Sequence, residues 1–304
     1  MRKSLPIILL ALVACTVPVE GGDAPELVAA FPVAIEAANG TVTINHQPTR
    51  IVSLSPAATE MLFAIGAGDQ VIATDELSNY PPEAPVTELS GFEPNVEAIT
   101  GYEPDLVVFS DDLNDIADGL DSLDIPALQT PAASVLDDSY EQMRQLGDAT
   151  GHPDEADALV ERVQNEIDVL AAAAPRPDPP LTYYYELDQS LYSATSQTFI
   201  GQVLALLGLE NIADPADADG TGYPQLSAEA IVDADPDVIF LADTKCCGQS
   251  DATVAERPGW GGIAAVRNGA VIELDDDIAS RWGPRVVDLF RAAAEGIEGL
   301  ADAA

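Results

Sequence analysis

Pro153-Asp-Glu-Ala-Asp-Ala-Leu-Val-Glu-Arg-Val-Gln-Asn-Glu-Ile-Asp-Val-Leu-Ala-Ala-Ala-Ala174, near the middle of a chain of 304 residues, decides how the rest is read. Apolar residues at Ala156, Leu159, Val160, Val163, Ile167 and Leu170 follow the i, i+3, i+4, i+7 spacing of an amphipathic helix, and acids and amides fill the other face. Pro153 suits a first helical position, Asp154 and Glu155 suit the positive end of the helix dipole, and the Pro-rich stretch Pro175 to Pro180 stops any continuation. At roughly 1.5 Å per residue the helix would be about 33 Å long, the width of a small domain. It suits a strut between two halves.

The halves share a motif. Glu97-Ala98-Ile99 is followed, after three residues, by Glu103-Pro104-Asp105 and the strand-like Leu106-Val107-Val108-Phe109. Glu229-Ala230-Ile231 is followed, after the same gap, by Asp235-Pro236-Asp237 and Val238-Ile239-Phe240. The offset of 132 residues is too long for a solenoid repeat and matches the size of one lobe.

Working outward, Arg50-Ile-Val-Ser-Leu54 reads as a buried strand, and Ser55-Pro56 opens a helix through Thr59, Leu62, Phe63 and Ile65 that ends at Gly66 and Gly68. Further short apolar strands fall at Val71 to Thr74, Leu106 to Phe109 and Ala127 to Gln129, with a helical or loop stretch at Asp115 to Leu123. The second half repeats the scheme with strands at Thr182 to Tyr185, Val238 to Leu241 and Val271 to Leu274, and helices at Thr198 to Leu207 and Pro284 to Leu300. Alternating β and α predict parallel sheets covered on both faces. The fold class is therefore α/β: a lobe over residues 49–152, the helix over 153–174 and a second lobe over 175–304, each lobe doubly wound, with a ligand cleft between them.

The N-terminus reads as a targeting segment over residues 1–14. Arg2 and Lys3 precede an apolar run from Leu5 to Ala14, which is too short for a bilayer core of about 30 Å. Leu12-Val-Ala-Cys15 resembles the lipobox of bacterial lipoproteins, which would make Cys15 the lipidated first residue of the mature chain. Residues 15–48 then hold a tether from Thr16 to about Leu27 and a hairpin, with Val33 to Ala37 and Thr41 to Ile44 flanking Asn39-Gly40.

With 52 acidic and 12 basic residues, a formal charge of −40 repels nucleic-acid backbones and anionic membrane surfaces. A hydrophobic fraction of 47% argues for a folded chain. So much acid suits a surface that stays soluble in a salty medium.

In open α/β sheets ligands sit beyond the carboxyl ends of the strands, so aromatic and cationic residues just after strands are the binding candidates. These are Tyr80, Phe92, Tyr192, Tyr223, Trp260, Arg281 and Trp282, with Arg285 beside them. Arg281 and Arg285 stand out in a cation-poor chain, either as partners for a carboxylate or other anionic oxygen of a ligand or as salt bridges within an acidic lobe.

No G-x-S-x-G elbow, P-loop or H-E-x-x-H motif occurs, and Gly66-Ala-Gly68 lacks the third glycine of a dinucleotide fingerprint. The two histidines, His46 and His152, do not make a metal site. Neither a catalytic residue nor a cofactor is assigned. Cys246-Cys247 follows a strand, and adjacent cysteines can bridge only in a strained ring. A vicinal disulfide, a pair of free thiols and soft ligands to a metal or haem iron are the three readings.

Taken together, the lipobox, the two βα lobes, the linking helix and the paired motifs resemble the solute-binding proteins of ABC importers for ferric siderophores, cobalamin and haem. The resemblance covers Thr49 to about Leu300 and is carried by Arg50-Ile-Val-Ser-Leu-Ser-Pro-Ala-Ala-Thr-Glu60, Tyr80-Pro-Pro82, Leu191-Tyr-Ser-Ala-Thr-Ser196 and Arg281-Trp-Gly-Pro-Arg285. It implies an extracytoplasmic, lipid-anchored monomer that captures a bulky ligand containing iron or cobalt and delivers it to a permease dimer with its ATPase. In that family one glutamate per lobe docks into arginines of the permease, and Glu97 and Glu229 occupy the matching positions. Tyr80 and Tyr223, and then Phe92 and Tyr192, match its cleft aromatics. The zinc and manganese branch relies on histidines that this chain lacks. An extracytoplasmic enzyme acting on a cofactor-like molecule, built on the same scaffold, is the alternative reading.

Overall fold

A computed structural model describes residues 31–301. Cys15 and the targeting segment expected around it lie outside the described residues.

Strand β1 (Val33–Ala37) and β2 (Gly40–Ile44) form the antiparallel hairpin, paired from Val33 with Ile44 to Ala37 with Gly40. Gly40 takes a φ of 105°, which a side chain would resist. Asn39 at the turn fastens the hairpin to the first sheet: its amide donates to Ala127 O (2.9 Å) and accepts from Gln129 N (3.1 Å). Ile35 and Ile44 are buried against the main core.

The first lobe is a parallel sheet of β3 (Ile51–Leu54), β4 (Val71–Asp75), β5 (Val86–Leu89), β6 (Leu106–Phe109) and β7 (Ala127–Gln129) in the order β5-β4-β3-β6-β7. Every residue of β3 and β6 is buried, as a parallel strand covered on both faces requires. Its helices are α1 (Pro56–Ala64), α2 (Val96–Thr100), α3 (Ile116–Asp121) and α4 (Leu136–Thr150). Ser55 caps α1 by accepting from Ala58 N, and Pro56 supplies the fixed φ of a first turn.

Helix α5 (Pro153–Ala173) buries Ala156, Leu159, Val160, Val163 and Ile167, the face anticipated from the spacing. It is not a bare strut. Those residues belong to one apolar core that runs from Met61 and Leu146 in the first lobe to Tyr183, Phe240 and Phe290 in the second.

The second lobe is a parallel sheet of β8 (Thr182–Glu186), β9 (Glu210–Asn211), β10 (Val238–Leu241) and β11 (Val271–Glu273) in the order β11-β10-β8-β9. Its helices are α6 (Phe199–Ala205), α7 (Ala228–Ala234), α8 (Thr244–Cys247), α9 (Asp251–Ala255), α10 (Ala264–Asn268), α11 (Asp276–Ser280) and α12 (Val286–Ala301). In both sheets the chain starts near the middle, winds to one edge and crosses back to the other. The switch points therefore lie between β3 and β6 and between β8 and β10, where an open α/β sheet places its ligand.

The internal repeat has a structural basis. Glu97 and Glu229 are exposed second residues of α2 and α7, whose caps Asn95 and Ser227 accept from Ala98 N and Ala230 N. Ile99 and Ile231 are fully buried. Glu103 and Asp235 both take positive φ, 52° and 45°, to turn the chain into the next strand. Asp105 then accepts from Thr49 N and Arg50 N, and Asp237 from Thr182 N, so each aspartate holds the start of the neighbouring central strand.

Candidate functional site

The loops after β4, β8 and β10 and the segment through α11 to α12 sit at the carboxyl ends of the two sheets. The second lobe meets the first through the segment from Asp277 to Arg285 and also where Gln202 donates to Ser134 O (3.0 Å). Arg281 donates to Glu60 Oε1 (2.9 Å) on α1 and, in the loop after β4, to Asn79 Oδ1 (3.1 Å) and Leu77 O (2.9 Å). It also pairs with Asp277 (2.8 Å) on its own side. Arg285 donates to both oxygens of Glu60 (3.1 and 2.6 Å) and lies 4.0 Å over the Tyr80 ring. Trp282 donates from its indole to Gln142 on α4 (2.9 Å), and its carbonyl accepts from the Ser139 hydroxyl.

These contacts change what Arg281 offers. Of the two readings, an anionic ligand or a salt bridge to the protein's own acids, the structure holds the second: both Nη groups are occupied by protein acceptors and the side chain is only 9% exposed. The reason is Glu60, a carboxylate with 0% side-chain exposure that needs compensation where it sits. Sequence reasoning passed over Glu60, although an acid on the otherwise apolar helix Pro56–Ala64 signals a buried partner. Asn79 and Gln142 were missed because their partners, Arg281 and Trp282, are distant in the chain, whereas Asp277 sits four residues before Arg281, a spacing that could have signalled the pair.

Four of the anticipated aromatics are exposed in loops after strands. Tyr80 is 42% exposed, Phe92 68%, Tyr192 39% and Tyr223 48%, and the aliphatic Leu77 and Leu113 are exposed beside the same strand ends. Tyr192 pairs antiparallel with Gln225, supported by Ser193 N to Pro224 O and Leu226 N to Leu191 O. This register puts Tyr192 and Tyr223 on one face of the ribbon as diagonal neighbours, about 7–8 Å apart at the backbone. Burial raises the Tyr223 hydroxyl above its ordinary value, which favours the neutral phenol. Trp260 does not join these four: it is buried in the second lobe, under the Arg257 guanidinium at 4.5 Å. A cavity of about 350 Å³ opens beside the Tyr80 and Arg285 contact, with Phe63, Leu159, Val163 and Pro284 among its lining residues.

Four cations of these loops, Lys245, Arg257, Arg281 and Arg285, each have an acid. Lys245 pairs with Asp275 (2.6 Å) and Asp277 (3.0 Å), and Arg257 grips Glu186 with two bonds of 2.6 Å. Burial alone would raise Asp277, but the Lys245 bond and nearby Arg281 outweigh it and hold it below the usual carboxylate range. Asp243, just past β10, is fully buried with neither oxygen hydrogen-bonded. Burial, and then the Glu186 charge, push its carboxyl up to about 7. Cys246 and Cys247 are joined as a vicinal disulfide in α8.

Among the described residues no group of three or more His, Cys, Asp or Glu is placed to hold a metal ion. His152 contacts Gln70, which precedes β4, so it belongs to the amino edge of the first sheet, away from the cleft. His46 is exposed ahead of β3. No described helix is long and apolar enough to cross a membrane.

Two parallel sheets, each wound about its own switch point and linked by α5, define a two-lobed α/β protein. The chain belongs to the periplasmic binding protein family, whose model matches residues 51–278. It is 31% identical over 306 residues to an uncharacterised ABC transporter substrate-binding lipoprotein of Bacillus subtilis, covering 97% of this chain and 95% of that one. It is 32% identical over 282 residues to a cobalamin-binding protein of Halobacterium salinarum, covering 89% of this chain and 75% of that one. Among solved structures, the periplasmic haem-binding protein RhuT from Roseiflexus sp. RS-1 aligns with a TM-score of 0.71 at 25% identity, over 82% of this chain and 99% of that one. The family is one of transport binding proteins that serve a permease and its ATPase, not of enzymes.

Proposed function

We propose that this protein captures a corrinoid of the cobalamin type between its lobes and delivers it to an ABC importer. The observation that carries this reading is the combination of exposed aromatic and aliphatic side chains after the strands with four loop cations, Lys245, Arg257, Arg281 and Arg285, that each have a protein acid. A corrin ring brings its own equatorial nitrogens to cobalt and presents a broad, largely uncharged face, so it needs contact area more than a protein ligand or a free cation. An anionic ferric chelate would need an unpaired guanidinium or ammonium at the same place. Tyr80, Phe92, Tyr192, Tyr223 and Trp282 are the proposed contacts, and Arg281 positions the loop after β4.

Haem is the second reading, because exposed phenols at Tyr80, Tyr192 and Tyr223 offer an iron ligand. The raised Tyr223 hydroxyl works against the phenolate that iron would take. Absorbance titration of the purified protein with cyanocobalamin and with haemin separates the two.

Delivery would use Glu97 and Glu229, the exposed acids at equivalent helix starts of the two lobes. Attachment at Cys15 would keep the protein at the outer membrane face, and membrane fractionation of a Cys15→Ala variant reads it: an unchanged membrane share rules it out.

A further inference from the structure

The disulfide between Cys246 and Cys247 occupies a central place on the second lobe. Helix α8 follows β10, next to the switch point between β8 and β10. On one side Asp276 of α11 accepts from Thr244 Oγ1 (2.9 Å), Lys245 N (2.9 Å) and Cys246 N (2.8 Å). Lys245 then reaches Asp277, which holds Arg281. On the other side Cys247 O accepts from Gln189 Nε2 (3.0 Å), in the loop that leads to Tyr192. The next residues carry the connection onward, since Gln249 accepts from Arg257 (2.6 Å), the partner of Glu186. One turn thus touches the Tyr192 loop, the segment that meets the first lobe and the buried ion pair. Cys246 is exposed and Cys247 half-buried, which places the pair at the surface.

We propose that Cys246 and Cys247 form a redox modification site on the cleft face, whose reduction to the dithiol changes the affinity for cargo. A thiolate of an external dithiol attacks one sulfur and forms a mixed disulfide, releasing the other cysteine as a thiolate. The second thiol of the reagent displaces the mixed disulfide, so the reagent leaves oxidised and both cysteines end as thiols after taking two electrons and two protons. Opening the ring frees two side-chain torsions that the disulfide coupled. The Cys247 carbonyl that anchors Gln189, and through it the approach to Tyr192, then loses its fixed position.

The corrinoid reading supplies the cargo for the test. Cyanocobalamin Kd is measured on the full protein before reduction, after treatment with a dithiol and its removal by desalting, and after reoxidation, with mass confirming the gain and loss of two hydrogens. The expected result is a reversible change of about fivefold or more, within the usual range of coupling between sites, that is absent from the Cys246→Ser/Cys247→Ser variant. An equal Kd in both states, or the same change in the serine variant, overturns the inference and leaves the corrinoid reading standing. If cyanocobalamin binds neither state, that reading fails, and hydrogen exchange over residues 186–192 and 275–282 decides the redox site instead: exchange altered by reduction supports it and unaltered exchange overturns it.

Discussion

The Glu60 carboxylate, on the first helix of the first lobe, receives Arg281 Nη1 from the second lobe at 2.9 Å, with 0% and 9% of the two side chains exposed. Arg285 joins the same carboxylate at 2.6 Å, so one buried acid contacts two cations across the lobe boundary, and Asp277 gives Arg281 a second acid. Removing it leaves both guanidinium groups in a place with little solvent. Glu60→Gln is expected to destabilise the fold by roughly 3–5 kcal/mol, the range for breaking one side of a buried pair. Denaturant unfolding measures it, and a loss below about 1 kcal/mol, as for a surface pair, contradicts it.

Tyr192 and Tyr223 are exposed, and their rings carry little of the core. Replacing either by Ala should leave thermal stability unchanged and weaken corrinoid binding by about 1–3 kcal/mol, as loss of an aromatic anchor does. Calorimetry showing wild-type affinity for both variants would remove the ribbon from the cleft.

Asp243 gives the protein a pH dependence of defined sign. Its carboxyl is raised from 3.8 to about 7 in the fold, so between those values the folded chain holds a proton that the unfolded chain has lost. The resulting stability is fully present below the unfolded value and is lost as pH rises through the folded one. Asp243→Asn should flatten this slope and gain on the wild type from acid to neutral pH. Parallel melting curves across the window would show that the buried carboxyl does not titrate there.

Glu97 and Glu229 make no contact that the fold depends on beyond favouring their helix starts, worth about 0.3–1 kcal/mol each. The Glu97→Arg/Glu229→Arg double variant should keep its stability and ligand affinity and lose stimulation of uptake in reconstituted vesicles that contain the cognate permease and ATPase. Full uptake would leave the repeat with only its structural role.

The parts of the fold legible in the sequence are those set by local pattern. Leu106–Phe109 and Val238–Leu241 are continuous apolar runs, and Ile51–Leu54 is apolar but for the buried Ser53, because both faces of their sheets are covered. The long central helix showed its buried stripe and both ends. Helix α4 escaped notice because Asp137, Asp138, Glu141, Gln142, Arg144 and Gln145 crowd the stripe of Tyr140, Met143 and Leu146, and one of these amides, Gln142, is itself buried. Strand β5 alternates weakly at a sheet edge, and β9 is only two residues long.

The exposure of Tyr80, Phe92, Tyr192 and Tyr223 was legible from their place in loops after strands, whereas the same rule also picked Trp260, which packs into the core of the second lobe. The contact between the lobes was not legible. Arg281 reaches Glu60 across 221 residues of chain, and composition shows that a cation is rare without showing which acid has taken it. The orphaned Asp243 was equally hidden, because its state depends on Glu186 and Arg257 folding around it.

Calorimetric titration of the full protein with cyanocobalamin, with haemin and a ferric hydroxamate run alongside, tests the central claim most directly. One corrinoid bound per chain, more tightly than either iron ligand and more weakly in Tyr223→Ala, is the predicted result. No heat with cyanocobalamin and saturable binding of either iron ligand would contradict it.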